Sequence, residues 1–271
     1  MLPEKTAQAG AVTINFAEGP QSGPPFVLLH GGGDRWQYLL PIIPTLRWHL
    51  FALDLRGHGK SGRVPGAYRP EHYADDIVAW MEQHLTEPAI FFGHSLGGWV
   101  ALLAAVQKLD KIRALILADP PLNIERFLAI EGSEARIGMW RAMRDLALSG
   151  PSVPELADFL ANLPAQVPGQ DKPGRLGDLP GMDAVYLRAW AKNLSQADPD
   201  VILYHAGGRM DEYVEKVDLD GVLGRIPCPV LLVQADPSHG GLVTDGNAQH
   251  VLSLLADGMH VKLEGASHAL G

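Results

Sequence analysis

Apolar residues along the first part of the chain gather into short unbroken runs, each ending in polar or glycine-rich sequence. Phe26-Val27-Leu28-Leu29 leads into His30-Gly31-Gly32-Gly33, Leu50-Phe51-Ala52-Leu53 into Asp54, and Ile90-Phe91-Phe92 into Gly93. Ala114-Leu115-Ile116-Leu117-Ala118 leads in the same way into Asp119-Pro120-Pro121. Runs of this kind predict strands covered on both faces, as in a parallel sheet. Between them, Pro70 opens a helical pattern in which Ile77, Met81 and Leu85 recur every four residues, and Leu96 to Val106 predicts a second helix. This is α/β alternation, and open α/β sheets place their sites at the carboxyl ends of strands.

From about 121 to 225 the rhythm changes. Ile124 to Ile130 and Glu134 to Leu148 read as helices, no buried strand is evident, and Pro and Gly crowd residues 164 to 181. A mostly helical insertion with a loop is expected there. Alternation then returns: Val230-Leu231-Leu232-Val233 ends at Asp236, a helix spans about 244 to 256, and Met259 to Leu263 leads to His268. The chain therefore divides into a first core part (1–120), an insertion (121–225) and a second core part (226–271).

Composition narrows the class. A chain of 271 residues with 46% hydrophobic and 20% charged residues suits a globular enzyme of one sizeable domain. The net charge of −9 and the lack of a basic run argue against a nucleic-acid partner. The single cysteine, Cys228, lies between two prolines at the foot of an apolar run and reads as a buried filler. With no disulfide possible within the chain, no apolar leader and no run long enough to span a bilayer, a cytoplasmic protein without membrane attachment is expected. The oligomeric state stays open.

The chemistry centres on Gly93-His94-Ser95-Leu96-Gly97-Gly98. A G-x-S-x-G element between a strand and a helix is a nucleophile elbow, which holds the serine in a strained turn with its hydroxyl exposed. Gly93 and Gly97 flank Ser95 because side chains there would collide with neighbouring backbone. A serine hydroxyl needs a base to take its proton, and the base needs a third group to fix its tautomer. In a chain built this way the partners follow the serine as acid, then histidine. His268, in the loop after the last strand, is the expected base. Asp236, just past the preceding strand, is the first choice of acid. Asp119, at the end of the strand before that, is the rival and otherwise caps the turn into Pro120-Pro121. Asp245 reads as part of a helix N-terminal cap.

Attack on a carbonyl creates an oxyanion that needs preorganised donors. The expected pair is the backbone N–H of Leu96 and that of Gly32, in the loop after the first long strand. Gly57-His58-Gly59-Lys60-Ser61 is not a phosphate loop, since the first glycine of that motif would fall on Asp54. Gly31 to Trp36 fails as a dinucleotide fingerprint because Trp36 replaces its last glycine. No clustered Cys/His spacing suggests a metal, so neither metal nor cofactor is expected. His30, His58 and His94 read as hydrogen-bonded scaffold.

With these residues in place, the sequence resembles the α/β-hydrolase superfamily, in particular the branch of esterases, lactonases, C–C bond hydrolases and cofactor-free haloperoxidases. The resemblance rests on His30-Gly31-Gly32-Gly33, on Asp54-Leu55-Arg56-Gly57-His58-Gly59-Lys60-Ser61-Gly62, on the elbow and on His268. It implies a mostly parallel, eight-stranded sheet with residues 121–225 as a helical cap over the site. Ser95 disfavours epoxide hydrolysis and dehalogenation, for which similar folds use a carboxylate nucleophile. Two departures stand out. Ala235-Asp236-Pro237 brings the acid closer to its strand than is usual, with Ser238 where the acid is often found. Relatives also usually continue beyond His268 into a helix, so a further tail and a mobile His268 loop are expected.

The leading expectation is a serine hydrolase acting through an acyl-enzyme on a small, largely apolar ester or lactone. C–C bond cleavage or perhydrolysis with the same apparatus is the alternative, and a slow-turnover ligand receptor a third. Trp36, Trp99 and Trp140 are candidate substrate contacts, each set against the simpler reading that it belongs to the core.

Overall fold

The computed structural model describes residues 2–43, 48–165, 174–179 and 181–269. A hairpin of β1 (Glu4–Ala9) and β2 (Val12–Glu18) starts the chain, followed by β3 (Pro25–Leu29), β4 (His49–Leu53), α1 (Pro70–His84) and β5 (Ala89–His94). Next come α2 (Leu96–Gln107) and β6 (Ile112–Ala118). The insertion then contributes α3 (Ile124–Glu131), α4 (Glu134–Leu148), α5 (Val153–Ala161), β7 (Pro164–Ala165), β8 (Gly174–Arg175) and α6 (Ala184–Leu194). Three short helices complete it: α7 (Leu203–Ala206), α8 (Met210–Val214) and α9 (Leu219–Leu223). The chain returns through β9 (Val230–Ala235), α10 (Asp245–Leu254) and β10 (Gly258–Leu263).

Eight strands form one sheet in the order β1-β2-β4-β3-β5-β6-β9-β10. β1 and β2, and β2 and β4, pair antiparallel; every other pair is parallel. The sequence pattern locates the parallel strands but not the opening hairpin, whose β1 is mostly exposed or half-buried and carries no large apolar residue. Side chains on β3 alternate between faces as the strand period requires. Val27 and Leu29 join the core built with α1 and α2, while Phe26 and Leu28 pack with Trp36 and Leu39 on the opposite face. Truncating a fully buried residue such as Leu29 to alanine would cost about 2–5 kcal/mol. At the far edge, β10 leaves Met259, Val261 and Leu263 exposed, since no described element covers them.

Local signals fix the helix ends. Pro70 occupies the first turn of α1, where its missing N–H costs nothing. Asp183 caps α6 by accepting from the amides of Val185 and Tyr186, both at 2.9 Å. Thr244 caps α10, and Asp245 follows it as the first helical residue, where it also accepts from the Gln234 side chain at 2.8 Å. Inside the insertion, Met143, Leu156, Leu160, Leu187 and Ala191 form a separate small core. Among the described residues, its strand content is the two-residue ladder of β7 and β8. The Pro- and Gly-rich tract expected as a loop lies largely outside the described residues. Among the described residues, no helix is long and apolar enough to cross a membrane.

Candidate active site

β5 delivers Ser95 to the rim of the sheet. The serine has φ 51° and ψ −117°, a left-handed conformation that is strained for a residue with a side chain. Tight packing enforces it. A Cβ on Gly93 would overlap the Gly97 carbonyl, and one on Gly97 would overlap the carbonyls of Leu29 and His30. The Ser95 amide also donates to the Ala118 carbonyl at 3.0 Å, locking the turn to the end of β6.

His268 reaches this point from the loop after β10. Its Nε2 lies 3.0 Å from Ser95 Oγ, and its Nδ1 lies 2.7 Å from Asp119 Oδ2. An ionised carboxylate can only accept, so Nδ1 carries the proton and Nε2 is left as an acceptor for the serine hydroxyl. Asp119 is fully buried at the end of β6 with φ 45°. Its oxygens also accept from the amides of Leu242 (2.8 Å), Val243 (3.1 Å) and Ala235 (3.3 Å). Burial alone would raise its pKa, but the hydrogen bond to His268 and those from the Leu242 and Val243 amides outweigh it. The carboxyl is held below its ordinary range.

The first choice of acid, Asp236, is therefore not the residue placed against His268. Its carboxylate accepts from the Ser238 hydroxyl (2.7 Å), the Ser238 amide (2.9 Å) and the Gly265 amide (3.0 Å). These contacts, the Ser238 hydroxyl first and the Gly265 amide next, keep it strongly acidic. The reason is the short turn after β9: Pro237 and Ser238 fold back at once, so the carboxylate caps its own turn. Asp236 instead anchors the His268 loop, since its amide also donates to the Ala266 carbonyl at 2.9 Å.

That loop, expected to be mobile, is gripped from the other side as well. His94 Nε2 donates to the His268 carbonyl at 2.8 Å, and the Tyr38 hydroxyl donates to the Ala269 carbonyl at 2.7 Å. Tyr38 stacks on His94 with ring centroids 5.3 Å apart. Burial, reinforced by the nearby His268 ring, lowers the His94 pKa to about 4 and keeps it neutral. Nothing in the sequence pattern marks Tyr38 for this task.

The glycine loop lies against the elbow. A Cβ on Gly31 would stand 3.3 Å from Ser95 Cβ, and one on Gly32 would stand 3.9 Å from the end of the Leu96 side chain. The Gly33 amide donates to His58 Nε2 at 3.0 Å, while the amides of Gly32 and Leu96 have no acceptor among the described residues. The Asp54–Gly62 segment is scaffold. Asp54 accepts from the amides of Trp36 (2.8 Å) and Lys60 (3.0 Å), and Arg56 forms a two-pronged buried pair with Asp76 at 2.5 and 2.6 Å. His30 Nε2 accepts from the Leu55 amide at 3.0 Å.

The tryptophans do not line the site as proposed. Trp36 is fully buried with its indole N–H on Glu4, and Trp99 is buried with its indole N–H on the Pro121 carbonyl, so both belong to the core. Trp140 is half-buried within the insertion, where its indole N–H meets Glu131 at 2.5 Å and its ring packs against His205. In each case the indole N–H is spent on an acceptor within the scaffold or the insertion. Among the described residues, no group of three or more His, Cys, Asp or Glu side chains converges as metal ligands would.

Ser95, His268 and the buried Asp119 thus stand in one hydrogen-bonded line at the carboxyl edge of a parallel sheet, the arrangement expected of serine-nucleophile α/β enzymes. Residues 24–268 match the alpha/beta hydrolase fold family, and the chain belongs to it. It is 33% identical over 130 residues to the 2-(acetamidomethylene)succinate hydrolase of Mesorhizobium japonicum, covering 47% of this chain and 46% of that protein. It is 34% identical over 113 residues to a bifunctional esterase/perhydrolase of Acinetobacter calcoaceticus, covering 40% and 41%. Each match thus takes in less than half of the relative's length. In three dimensions the chain is similar to a deformylase from Pseudomonas putida, with a TM-score of 0.75 at 19% identity over 99% of this chain and 95% of that one.

Proposed function

We propose that the protein is a serine hydrolase that cleaves a small, largely apolar carboxylic ester or lactone through an acyl-enzyme on Ser95. The observation that carries this reading is the bridging position of His268, 3.0 Å from Ser95 Oγ and 2.7 Å from Asp119. His268 Nε2 takes the hydroxyl proton as Ser95 Oγ bonds to the substrate carbonyl carbon, and the Asp119 carboxylate stabilises the imidazolium. The tetrahedral oxyanion falls between the Gly32 and Leu96 amides. Losing one such donor typically costs about 10²- to 10³-fold in rate. Collapse returns the proton to the departing alkoxide, and water, deprotonated by His268, then releases the acid. Residues 121–225 act as a cap whose Leu194 meets Gly33, giving the glycine loop an apolar neighbour. The proposed steps call on no metal or organic cofactor.

Perhydrolysis is the second reading, favoured by the esterase/perhydrolase relative: hydrogen peroxide replaces water in attack on the acyl-serine. A fluorophosphonate probe located by mass spectrometry tests the shared first step. Labelling confined to Ser95, lost in Ser95→Ala, is the expected result; turnover of aryl esters by Ser95→Ala would overturn the assignment. Adding peroxide and measuring peracid then separates the two readings.

A further inference from the structure

Gly32 sits in a turn closed by the Asp34 amide, which donates to the Gly31 carbonyl at 3.2 Å. This turn is held from two directions. On the core side, His58 takes the Gly33 amide at 3.0 Å. On the opposite side, the end of α6 closes over it, and a Cβ on Gly33 would stand only 3.0 Å from the Leu194 side chain. The polar contacts there form a chain. Asn193 Nδ2 donates to Asp34 Oδ1 at 3.1 Å, while Asn193 Oδ1 accepts from Arg35 Nε at 2.8 Å. Arg35 Nη1 also donates to Gln196 Oε1 at 3.0 Å. Both Asn193 and Asp34 are buried.

Asn193 thus spends its donor and its acceptor on two successive residues of the glycine turn, from a helix about 160 positions away. The amide side chain suits this task because it holds a donating NH2 and an accepting carbonyl oxygen in one fixed plane. We infer that Asn193 is a positioning residue: the Asp34–Asn193–Arg35 clasp aims the Gly32 amide at the oxyanion, so that the seating of α6 sets the rate of the chemical step. The inference rests on the hydrolase reading above, because it needs the Gly32 amide to serve as a donor. Errors of about 1 Å in such a group can cost on the order of 10²-fold in rate.

The test compares Asn193→Ala, Asn193→Asp and the exchange double variant Asp34→Asn/Asn193→Asp, using short-chain aryl ester hydrolysis. Asn193→Asp faces Asp34 with a second carboxyl and keeps the Arg35 acceptor; the exchange restores a donor–acceptor pair with the roles reversed. Both single variants should lose about 10- to 100-fold in kcat with KM changed less than about threefold. The exchange should recover kcat to within about threefold of the native enzyme. Amide hydrogen exchange across residues 31–36, which needs no turnover, should quicken in Asn193→Ala and slow again in the exchange variant. Native kcat and native exchange in Asn193→Ala would overturn the clasp, as would an exchange variant as impaired as Asn193→Asp. Turnover that survives in Ser95→Ala would instead sink the hydrolase reading and leave the hydrogen-exchange result to judge the clasp.

Discussion

Replacing Asp119 with asparagine should separate the two candidate acids. The native carboxylate receives four donors: the amides of Ala235, Val243 and Leu242 and the Nδ1–H of His268. An asparagine has one oxygen to offer. Turned toward Ala235 and Val243, that oxygen leaves the NH2 facing Leu242 and His268. The lost bond to the Leu242 amide costs about 1–3 kcal/mol of stability. The imidazole must then present Nδ1 as an acceptor and carry its proton on Nε2, where it can no longer accept from Ser95. A base locked in the wrong tautomer lowers kcat by roughly 10⁴-fold, or about 5.5 kcal/mol in the barrier. Asp236→Asn keeps the backbone bond to Ala266 and leaves the His268–Asp119 contact intact, so its kcat should fall less than about tenfold. The assay is steady-state and stopped-flow hydrolysis of an aryl ester, with circular dichroism to show that both variants fold. A 10⁴-fold loss in Asp236→Asn beside a near-native Asp119→Asn would refute the reasoning.

Other expectations are as direct. Gly31→Ala places a methyl 2.9 Å from His94 Nδ1 and 3.3 Å from Ser95 Cβ. It should abolish fluorophosphonate labelling at a cost of about 1–3 kcal/mol in urea unfolding, and native labelling rates would contradict it. Asp76→Ala leaves the Arg56 guanidinium buried without its carboxylate and should destabilise the fold by about 3–5 kcal/mol; an unchanged denaturation midpoint would count against that pairing. Acid should weaken the protein through its neutral buried histidines. Burial lowers His30 and His94 to about 4 and His58 to about 3, from an ordinary 6.5. Below pH 6.5 the unfolded chain therefore takes up protons before the folded one. The stability from keeping these rings neutral is full above that pH and lost as pH falls toward 4, by up to about 1.4 kcal/mol per pH unit for each ring. Melting temperatures that stay flat from pH 7 to about pH 5 would show that the rings are not buried neutral.

The parallel strands, the elbow and the presence of a helical stretch between β6 and β9 were legible in the sequence because they depend on local order. Unbroken apolar runs specify strands covered on both faces, and Gly93 and Gly97 fit no looser turn around Ser95. The opening hairpin was hidden because its outer strand buries little, and Trp36 and Trp99 stayed open between pocket and core because an aromatic in sequence looks the same in either place. Asp236 misled for a related reason. Two aspartates end neighbouring strands, and sequence position cannot say which carboxylate points at the imidazole and which turns back onto Ser238.

What the linear order of residues determined by itself was chemical identity and strand-end placement: a serine in a tight elbow, a distant histidine and a glycine loop on one rim. What only the tertiary structure decided was partnership. The side-by-side pairing of β6 and β9 brings the amides of Ala235, Leu242 and Val243 onto Asp119 and turns its free edge to His268. In the same way, the return of α6 lays Asn193 across residues 34 and 35. Such contacts join residues more than a hundred positions apart, and the hydrogen-bond geometry that selects one partner over another exists only once the chain has closed on itself.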